Sequence, residues 1–81
     1  MGNLTVRFVQ SITEPAKYHD GGGLGLYLRV DKSGSKFWIQ RIVINEKRRE
    51  LGLGSFPITT LAAARETALT NKRMVREGGD P

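Results

Sequence analysis

The sequence of 81 residues contains no cysteine and a single histidine, His19. Without cysteine the chain has no disulfide bonds and no thiolate metal ligands, and one histidine has no second histidine with which to form a zinc site. No apolar run approaches the length of about eighteen residues that a membrane helix needs, and residues 1–11 lack the apolar centre of a signal peptide. We therefore expect a soluble, cytoplasmic protein with no cofactor, no metal, no membrane partner and no small-molecule substrate.

Acidic residues are also scarce, because 8 Asp and Glu stand against 13 Lys and Arg, for a formal net charge of +5 and a pI near 10.1. A positive charge of this size on a short chain favours polyanionic partners through long-range attraction. Many basic proteins bind no polyanion, however, so the charge alone does not decide the function. The length predicts one domain with a thin core.

The first quarter of the chain predicts short elements. Apolar residues recur at helical spacing up to residue 12, with Asn3 or Thr5 as the N-cap, and indicate a helix of two turns at most. Pro15 ends this helix, and 17–19 is predicted as a short extended segment. The glycine-rich segment DGGGLG at 20–25 is interpreted as a turn. A phosphate-binding loop is the alternative, but the Gly-Lys-Ser/Thr ending of a P-loop and the third glycine of a dinucleotide fingerprint are both missing.

Three segments of strand-like composition, at 26–30, 36–44 and 47–53, predict an antiparallel meander. The second and third are joined by a hairpin with its tip near Asn45 to Lys47. In the third segment, Leu51 and Leu53 are expected to point into the core, and Arg48 and Glu50 are expected to point away from it.

The central segment has two alternating sets of side chains that both contain apolar residues. One set is Trp38, Gln40, Ile42 and Ile44, and the other is Phe37, Ile39, Arg41 and Val43. We assign the Trp38 set to the core, because large apolar side chains favour burial and Arg41 should reach solvent.

A longer helix is predicted from Leu61 to Glu77, with Thr60 as its N-cap and Gly78 just past its end. The predicted fold class is α+β, with a three-stranded antiparallel sheet packed against this C-terminal helix. A short N-terminal helix, and optionally a short N-terminal strand, complete it. Residues 1–78 are expected to form the domain and 79–81 the start of a linker.

The order of several short segments resembles the N-terminal arm-type DNA-binding domain of tyrosine recombinases, within the integrases of prophages and genomic islands. These segments are DGGGL at 20–24, KFW at 36–38, LGSFP at 53–57, LAAAR at 61–65 and GDP at 79–81. The resemblance implies a DNA-binding domain that is not itself an enzyme and that is joined to separate core-binding and catalytic domains. Its implied partners are double-stranded DNA at arm-type sites and, as a further option, other integrase protomers. Glu46 departs from the family pattern, because relatives often have glycine at this hairpin position.

A basic strand ribbon fits the major groove of DNA, where arginine binds guanine and apolar groups meet thymine methyl groups. Base contacts are expected from Tyr27, Arg29, Phe37, Ile39, Arg41, Val43 and Arg48. Phosphate contacts are expected from Lys36, Lys47 and Arg49.

Two alternatives stay open: double-stranded RNA binding, and a protein-interaction module that uses Phe37, Ile39 and Val43 for recombinase assembly. The parent family uses a tyrosine nucleophile, but that tyrosine belongs to the catalytic domain. With one histidine, no arginine-histidine-tyrosine arrangement is available here, so neither Tyr18 nor Tyr27 is proposed as catalytic.

Overall fold

A four-stranded antiparallel sheet with both helices on one of its faces makes up the structure, which is a computed structural model that describes residues 3–78. The linker predicted at 79–81 lies outside the described residues. The elements are α1 (Val6–Ser11), β1 (Ala16–His19), β2 (Leu26–Val30), β3 (Lys36–Ile44), β4 (Lys47–Phe56) and α2 (Leu61–Arg76). The strands lie in the sheet in chain order, so each pairs with its neighbours in the sequence.

The prediction of three strands was wrong, because the short extended segment at 17–19 belongs to a fourth strand. Strand β1 pairs with β2 from Ala16 opposite Val30 to His19 opposite Tyr27. A segment of 4 residues is too short to show a reliable period, and the pairing depends on the free edge that β2 offers after folding. The optional N-terminal strand is therefore a regular member of the sheet.

Strand β4 is also longer than predicted, since it continues to Phe56. Trp38 pairs with Gly54 but Ile39 pairs with Gly52, so Leu53 is an extra residue at a β-bulge. A bulge of this kind interrupts the alternation of side chains along the strand. For this reason the simple period of two did not reveal the last residues of β4.

The inner face of the central strand is the Trp38 set, as predicted. Trp38 and Gln40 are fully buried, and Ile42 and Ile44 are nearly so. The indole N–H of Trp38 donates to the carbonyl of Thr59 at 2.7 Å, which satisfies the one polar group of the ring. The core cluster is formed by Trp38, by Leu26, Leu28 and Val30 of β2, and by Leu4, Val9, Leu61, Ala64 and Ala68.

Small residues allow α2 to lie close to the sheet. Ala64 and Ala68 are completely buried, and Thr60 caps the helix by accepting a hydrogen bond from the Ala63 N–H at 3.1 Å. The first helix is capped in the same way by Thr5, whose hydroxyl accepts from the Phe8 N–H at 3.2 Å. Both predicted helices are thus confirmed, with α1 limited to six residues.

Asp20 and Arg65 connect the N-terminal segment, the glycine turn and α2. The Asp20 carboxylate, which is 2% exposed, accepts two hydrogen bonds of 2.9 Å from the Arg65 guanidinium and one of 2.9 Å from the Leu4 N–H. Arg65 also donates to the Leu4 carbonyl at 2.7 Å. Burial alone would raise the pKa of Asp20, but these hydrogen bonds and the charge of Arg65 outweigh it and lower the pKa below the ordinary value.

Replacing Asp20 by asparagine should destabilise the domain, because it leaves Arg65 without its charged partner. The expected loss is about 3 kcal/mol of unfolding free energy, the low end for a buried pair, since Arg65 remains partly hydrated. Because the folded-state pKa of Asp20 is lowered, its stabilisation is present above the unfolded pKa and is lost as the pH falls below about 4. Urea unfolding at pH 7 and at pH 3 should therefore show a smaller acid-induced loss for Asp20→Asn than for the wild type. An equal acid-induced loss in both proteins would contradict this role of Asp20.

The β3–β4 turn contains a second stability prediction. Ile44 pairs with Lys47, and the two loop residues Asn45 and Glu46 have φ of 51° and 66°, which is the backbone of a type I′ turn. Asparagine tolerates this left-handed conformation, whereas glutamate does so at a cost of about 1–2 kcal/mol. Glu46→Gly should raise the unfolding free energy by about 1 kcal/mol, because glycine removes the strain. Glu46→Ala, which removes the charge but keeps the side-chain strain, is the matched control in the same urea titration and should show no such gain.

Candidate nucleic-acid interface

The face of the sheet opposite the helices is called the outer face. Residues paired across antiparallel strands share a face, and both helices pack on the Trp38 side, so no element within residues 3–78 covers the outer face. Its side chains are those of Lys17, His19, Tyr27, Arg29, Phe37, Ile39, Arg41, Val43, Arg48, Glu50 and Ser55.

Tyr27 forms the floor of the outer face. Its ring is only 2% exposed, and its hydroxyl donates to Glu50 Oε2 at 2.7 Å. The ring centre lies 5.2 Å from that of His19, 5.6 Å from Lys17 Nζ and 5.4 Å from Arg41 Cζ. Burial raises the pKa of Tyr27, and the hydrogen bond to the Glu50 carboxylate raises it further, so the hydroxyl stays protonated and remains a donor. Tyr27 therefore supports cationic side chains above it.

Arg41 and Glu50 form an ion pair across β3 and β4. Arg41 Nε lies 3.2 Å from Glu50 Oε2, and the two side chains are 54% and 53% exposed. The hydrogen bond from Tyr27, followed by that from Arg41, lowers the pKa of Glu50. An exposed ion pair adds little to stability, so its main consequence is that the Arg41 guanidinium has a defined position.

Arginine and apolar side chains alternate over the rest of the outer face. Arg29 Cζ lies 5.1 Å from the ring centre of Phe37, a cation–π contact that covers the ring. Val43 is 54% exposed and is paired with Arg48. A shallow groove in this region is lined mainly by Lys17, Arg41, Val43, Arg48 and Glu50. Arg49 also lines the groove, so that four of its lining residues are cationic and one is acidic, which gives the groove a positive charge.

The structure thus brings seven of the ten predicted contact residues onto one face. These are Tyr27, Arg29, Phe37, Ile39, Arg41, Val43 and Arg48. Lys47 and Arg49 pair with Ile44 and Ile42. Their side chains therefore project from the same face of the sheet as the helices, and both are exposed near the hairpin end.

Lys36 has a different environment from the other predicted phosphate contacts. It is half-buried on the inner face, where its ammonium donates to the carbonyls of Val9 at 2.6 Å and Gln10 at 3.1 Å. A cation at these carbonyls complements the C-terminal end of α1. Lys36 is therefore occupied in attaching α1 to the sheet.

Sequence reasoning missed Lys17 and His19 as members of the outer face, and it missed the contacts that Glu50 makes there. The first two follow directly once 16–19 is recognised as a strand, because Tyr18 points inward and its neighbours must point outward. Glu50 was predicted to point away from the core, but its two hydrogen bonds depend on the register of β3 and β4. No local sequence signal specifies that register.

Gly25 fixes the position of the backbone that carries Arg41. The Arg41 N–H donates to the Gly25 carbonyl at 2.8 Å, and a Cβ at Gly25, where φ is +74°, would collide with the Arg41 carbonyl oxygen. The close approach therefore requires glycine. The glycine-rich segment is a turn, as predicted, and its last glycine lies against the interface strand.

Residues 3–78 contain no group of three or more acidic or histidine side chains placed to hold a metal ion. Within the same part of the chain, no helix is long and apolar enough to cross a membrane.

A small basic α+β domain with one open, positively charged sheet face is the kind of module that binds nucleic acid. The chain belongs to the arm DNA-binding domain family, whose model matches residues 4–81. It is similar to the integrase of Shigella phage Sf6 and to the prophage integrase IntS of Escherichia coli, at 38% identity over 79 residues in each case. It is also 32% identical over 68 residues to the prophage integrase IntZ of Escherichia coli.

Each of the first two alignments covers 96% of this chain but only 20% of the relative. The chain therefore spans about a fifth of the length of these integrases. The membership confirms the resemblance to arm-type DNA-binding domains of integrases.

Proposed function

We propose that this chain binds double-stranded DNA sequence-specifically at arm-type sites, as the N-terminal domain of a phage-type tyrosine recombinase. In the full-length protein it would attach the enzyme to sites beside the recombination core and support integration and excision of a prophage or genomic island. Catalysis would belong to the other domains. The observation that carries the proposal is the outer face, where Lys17, Arg29, Arg41 and Arg48 are exposed around a short apolar strip. Neither of the helices described in the structure covers this face.

The dimensions of the β3–β4 hairpin suit the major groove. Its strands lie about 5 Å apart and extend for about 30 Å, and the groove is about 12 Å wide. Arg41 lies in the middle of β3, with Ile39 and Val43 on either side on the same face. Arginine matches the acceptors of guanine, and the aliphatic side chains match thymine methyl groups.

Phosphate contacts would come from the margins of this hairpin. Lys17 and Arg29 lie on β1 and β2 to one side, and Lys47, Arg48 and Arg49 lie at the hairpin end. Arg29 and Arg48, which the sequence assigned to base contacts, join the phosphate set because they lie on the strands that flank β3. Lys36 is left out of this set because the carbonyls of α1 already hold its ammonium. Backbone contacts of this kind set the position on the duplex, and the central residues supply the sequence preference.

Five phosphate contacts predict a steep salt dependence. The logarithm of the association constant should fall with the logarithm of salt concentration with a slope of about −4.5. Fluorescence anisotropy with a labelled DNA duplex of the attachment region, titrated at several salt concentrations, measures this slope. A flat salt dependence would contradict the sheet-face proposal, and tighter binding to an RNA duplex of matched sequence would favour the RNA alternative.

Two substitutions should separate base contacts from phosphate contacts. Arg41→Ala should weaken binding to the cognate duplex by about 1–3 kcal/mol and binding to random DNA much less. Lys47→Ala should weaken both about equally, because a phosphate contact carries no sequence information. Arg76→Ala, at the end of α2, is the matched control and should change neither affinity. The proposal fails if Arg76→Ala weakens binding as much as Arg41→Ala.

The protein-interaction alternative has less support from the geometry. Arg29 covers the ring of Phe37, and Ile39 is half-buried, so Val43 is the one strongly exposed member of that apolar set. Contact with other integrase protomers through this patch predicts NMR shifts of Ile39 and Val43 that move with protein concentration in the absence of DNA. Shifts that move only on addition of the duplex favour DNA binding alone.

A further inference from the structure

We propose that Arg41 reads a guanine in the major groove, and that Tyr27 and Glu50 are positioning residues that hold its guanidinium for this contact. The inference rests on the proposed function and goes beyond it. It assigns a guanine contact to Arg41, and it gives a role to Glu50, the one acidic residue of the outer face within residues 3–78.

The guanidinium of Arg41 is held at one end and open at the other. Its Nε donates to Glu50 Oε2 at 3.2 Å, and within residues 3–78 its terminal nitrogens form no salt bridge with a carboxylate. The terminal nitrogens of a guanidinium carry two parallel N–H donors, which match the adjacent N7 and O6 acceptors of guanine. The exposure of Arg41 leaves this end accessible to a base edge.

The Glu50 carboxylate that binds Arg41 is in turn bound by Tyr27. Glu50 Oε2 accepts from the Tyr27 hydroxyl at 2.7 Å, and Tyr27 is almost fully buried, so its ring cannot change rotamer freely. The ring also lies beneath the guanidinium, with Arg41 Cζ 5.4 Å from its centre. A long arginine side chain normally loses rotamer freedom on binding. Here the contacts with Tyr27 and Glu50 restrict it beforehand.

The negative charge of Glu50 allows a positioning effect on Arg41 to be distinguished from a general electrostatic effect on DNA binding. A carboxylate on a surface that binds a polyanion repels phosphates and lowers non-specific affinity. Arg29 provides the internal comparison, because it lies on the same face but contacts the Phe37 ring and, within residues 3–78, forms no salt bridge. If Glu50 positions Arg41, its removal should tighten binding to random DNA and at the same time reduce discrimination between sequences.

The experiment uses the 81-residue chain and a pool of DNA duplexes with a randomised central segment. The wild type is used to select a preferred duplex, and the dissociation constants for that duplex and for random duplex give a discrimination ratio. Arg41→Ala should lower the ratio by about 5- to 150-fold. Replacing the contacted guanine by 7-deazaguanine should weaken the wild type but leave Arg41→Ala unaffected, because the N7 acceptor is lost.

The positioning residues are tested with variants that keep the fold. Tyr27→Phe keeps the buried ring and should lower the ratio by about threefold or more, as expected for one lost hydrogen bond. Glu50→Ala should lower the ratio similarly while tightening random-duplex binding by about fivefold, the effect of removing one charge about 4 Å away in water. Glu50→Gln retains an acceptor and should recover most of the ratio. Arg29→Ala should weaken both duplexes and leave the ratio unchanged.

The outcomes separate the inference from the proposed function. Salt-dependent duplex binding with ratios unchanged in Tyr27→Phe and Glu50→Ala overturns the inference and leaves DNA binding intact. A preferred duplex without an Arg41-dependent guanine also overturns it. Absence of salt-dependent duplex binding by the wild type contradicts the proposed function itself.

Discussion

The hydrogen bonds of one buried amide determine which face of the sheet is left open. Gln40 is fully buried, and its amide nitrogen donates to the carbonyls of Leu24 and Ala68 at 3.0 and 2.9 Å, while its oxygen accepts from Asn71 at 3.0 Å. A buried amide without these partners would be strongly unfavourable. A one-residue slip of β3 would place Arg41 in this position and turn Trp38 outward. The same interaction that joins α2 to the sheet therefore fixes Arg41 on the outer face.

The outer face, as described by the structure, is positively charged but includes one acidic residue, Glu50. Affinity for DNA comes mostly from cations near phosphates, and sequence preference comes from groups in defined positions. In the proposed function these two requirements conflict at Glu50. Its negative charge lowers the affinity for phosphates, whereas its contact with Arg41 gives the guanidinium a defined position. The contact with Tyr27 limits the conflict, because one carboxylate oxygen of Glu50 accepts hydrogen bonds from both the Tyr27 hydroxyl and Arg41 Nε.

Much of the fold was predictable because the local signals agree with each other. Thr60, the alanines after it and Gly78 specify α2, and the burial preference of Trp38 specifies the inner face of β3. Local sequence signals failed where an element depends on pairing between strands. Strand β1 is too short to show alternation of side chains, and the bulge at Leu53 interrupts that alternation in β4. The same distinction holds for the candidate site, where local signals predicted some residues and tertiary contacts determined the others.

Within the site, strand alternation together with the burial preference of Trp38 placed Arg29, Arg41 and Arg48 on one face. The position of Lys36 was not predictable, because its ammonium binds carbonyls of α1 that are distant in sequence. The contacts of Glu50 with Tyr27 and Arg41 likewise join three strands. Composition reveals the charge of a surface, but the partner of each charge depends on the packed structure.

The distribution of charge explains how a face with a single arginine on its central strand can suit a groove. Arg41 is the one cation of β3 on that face, and the other cations, Lys17, Arg29 and Arg48, belong to the flanking strands. In a duplex the base edges lie on the groove floor and the phosphates lie along its walls. A central strip of Ile39, Arg41 and Val43 with cations on both sides reproduces this order. A row of arginines along β3 would place charge over the bases, where it adds less than it does beside the phosphates, and would leave no apolar surface for thymine methyl groups.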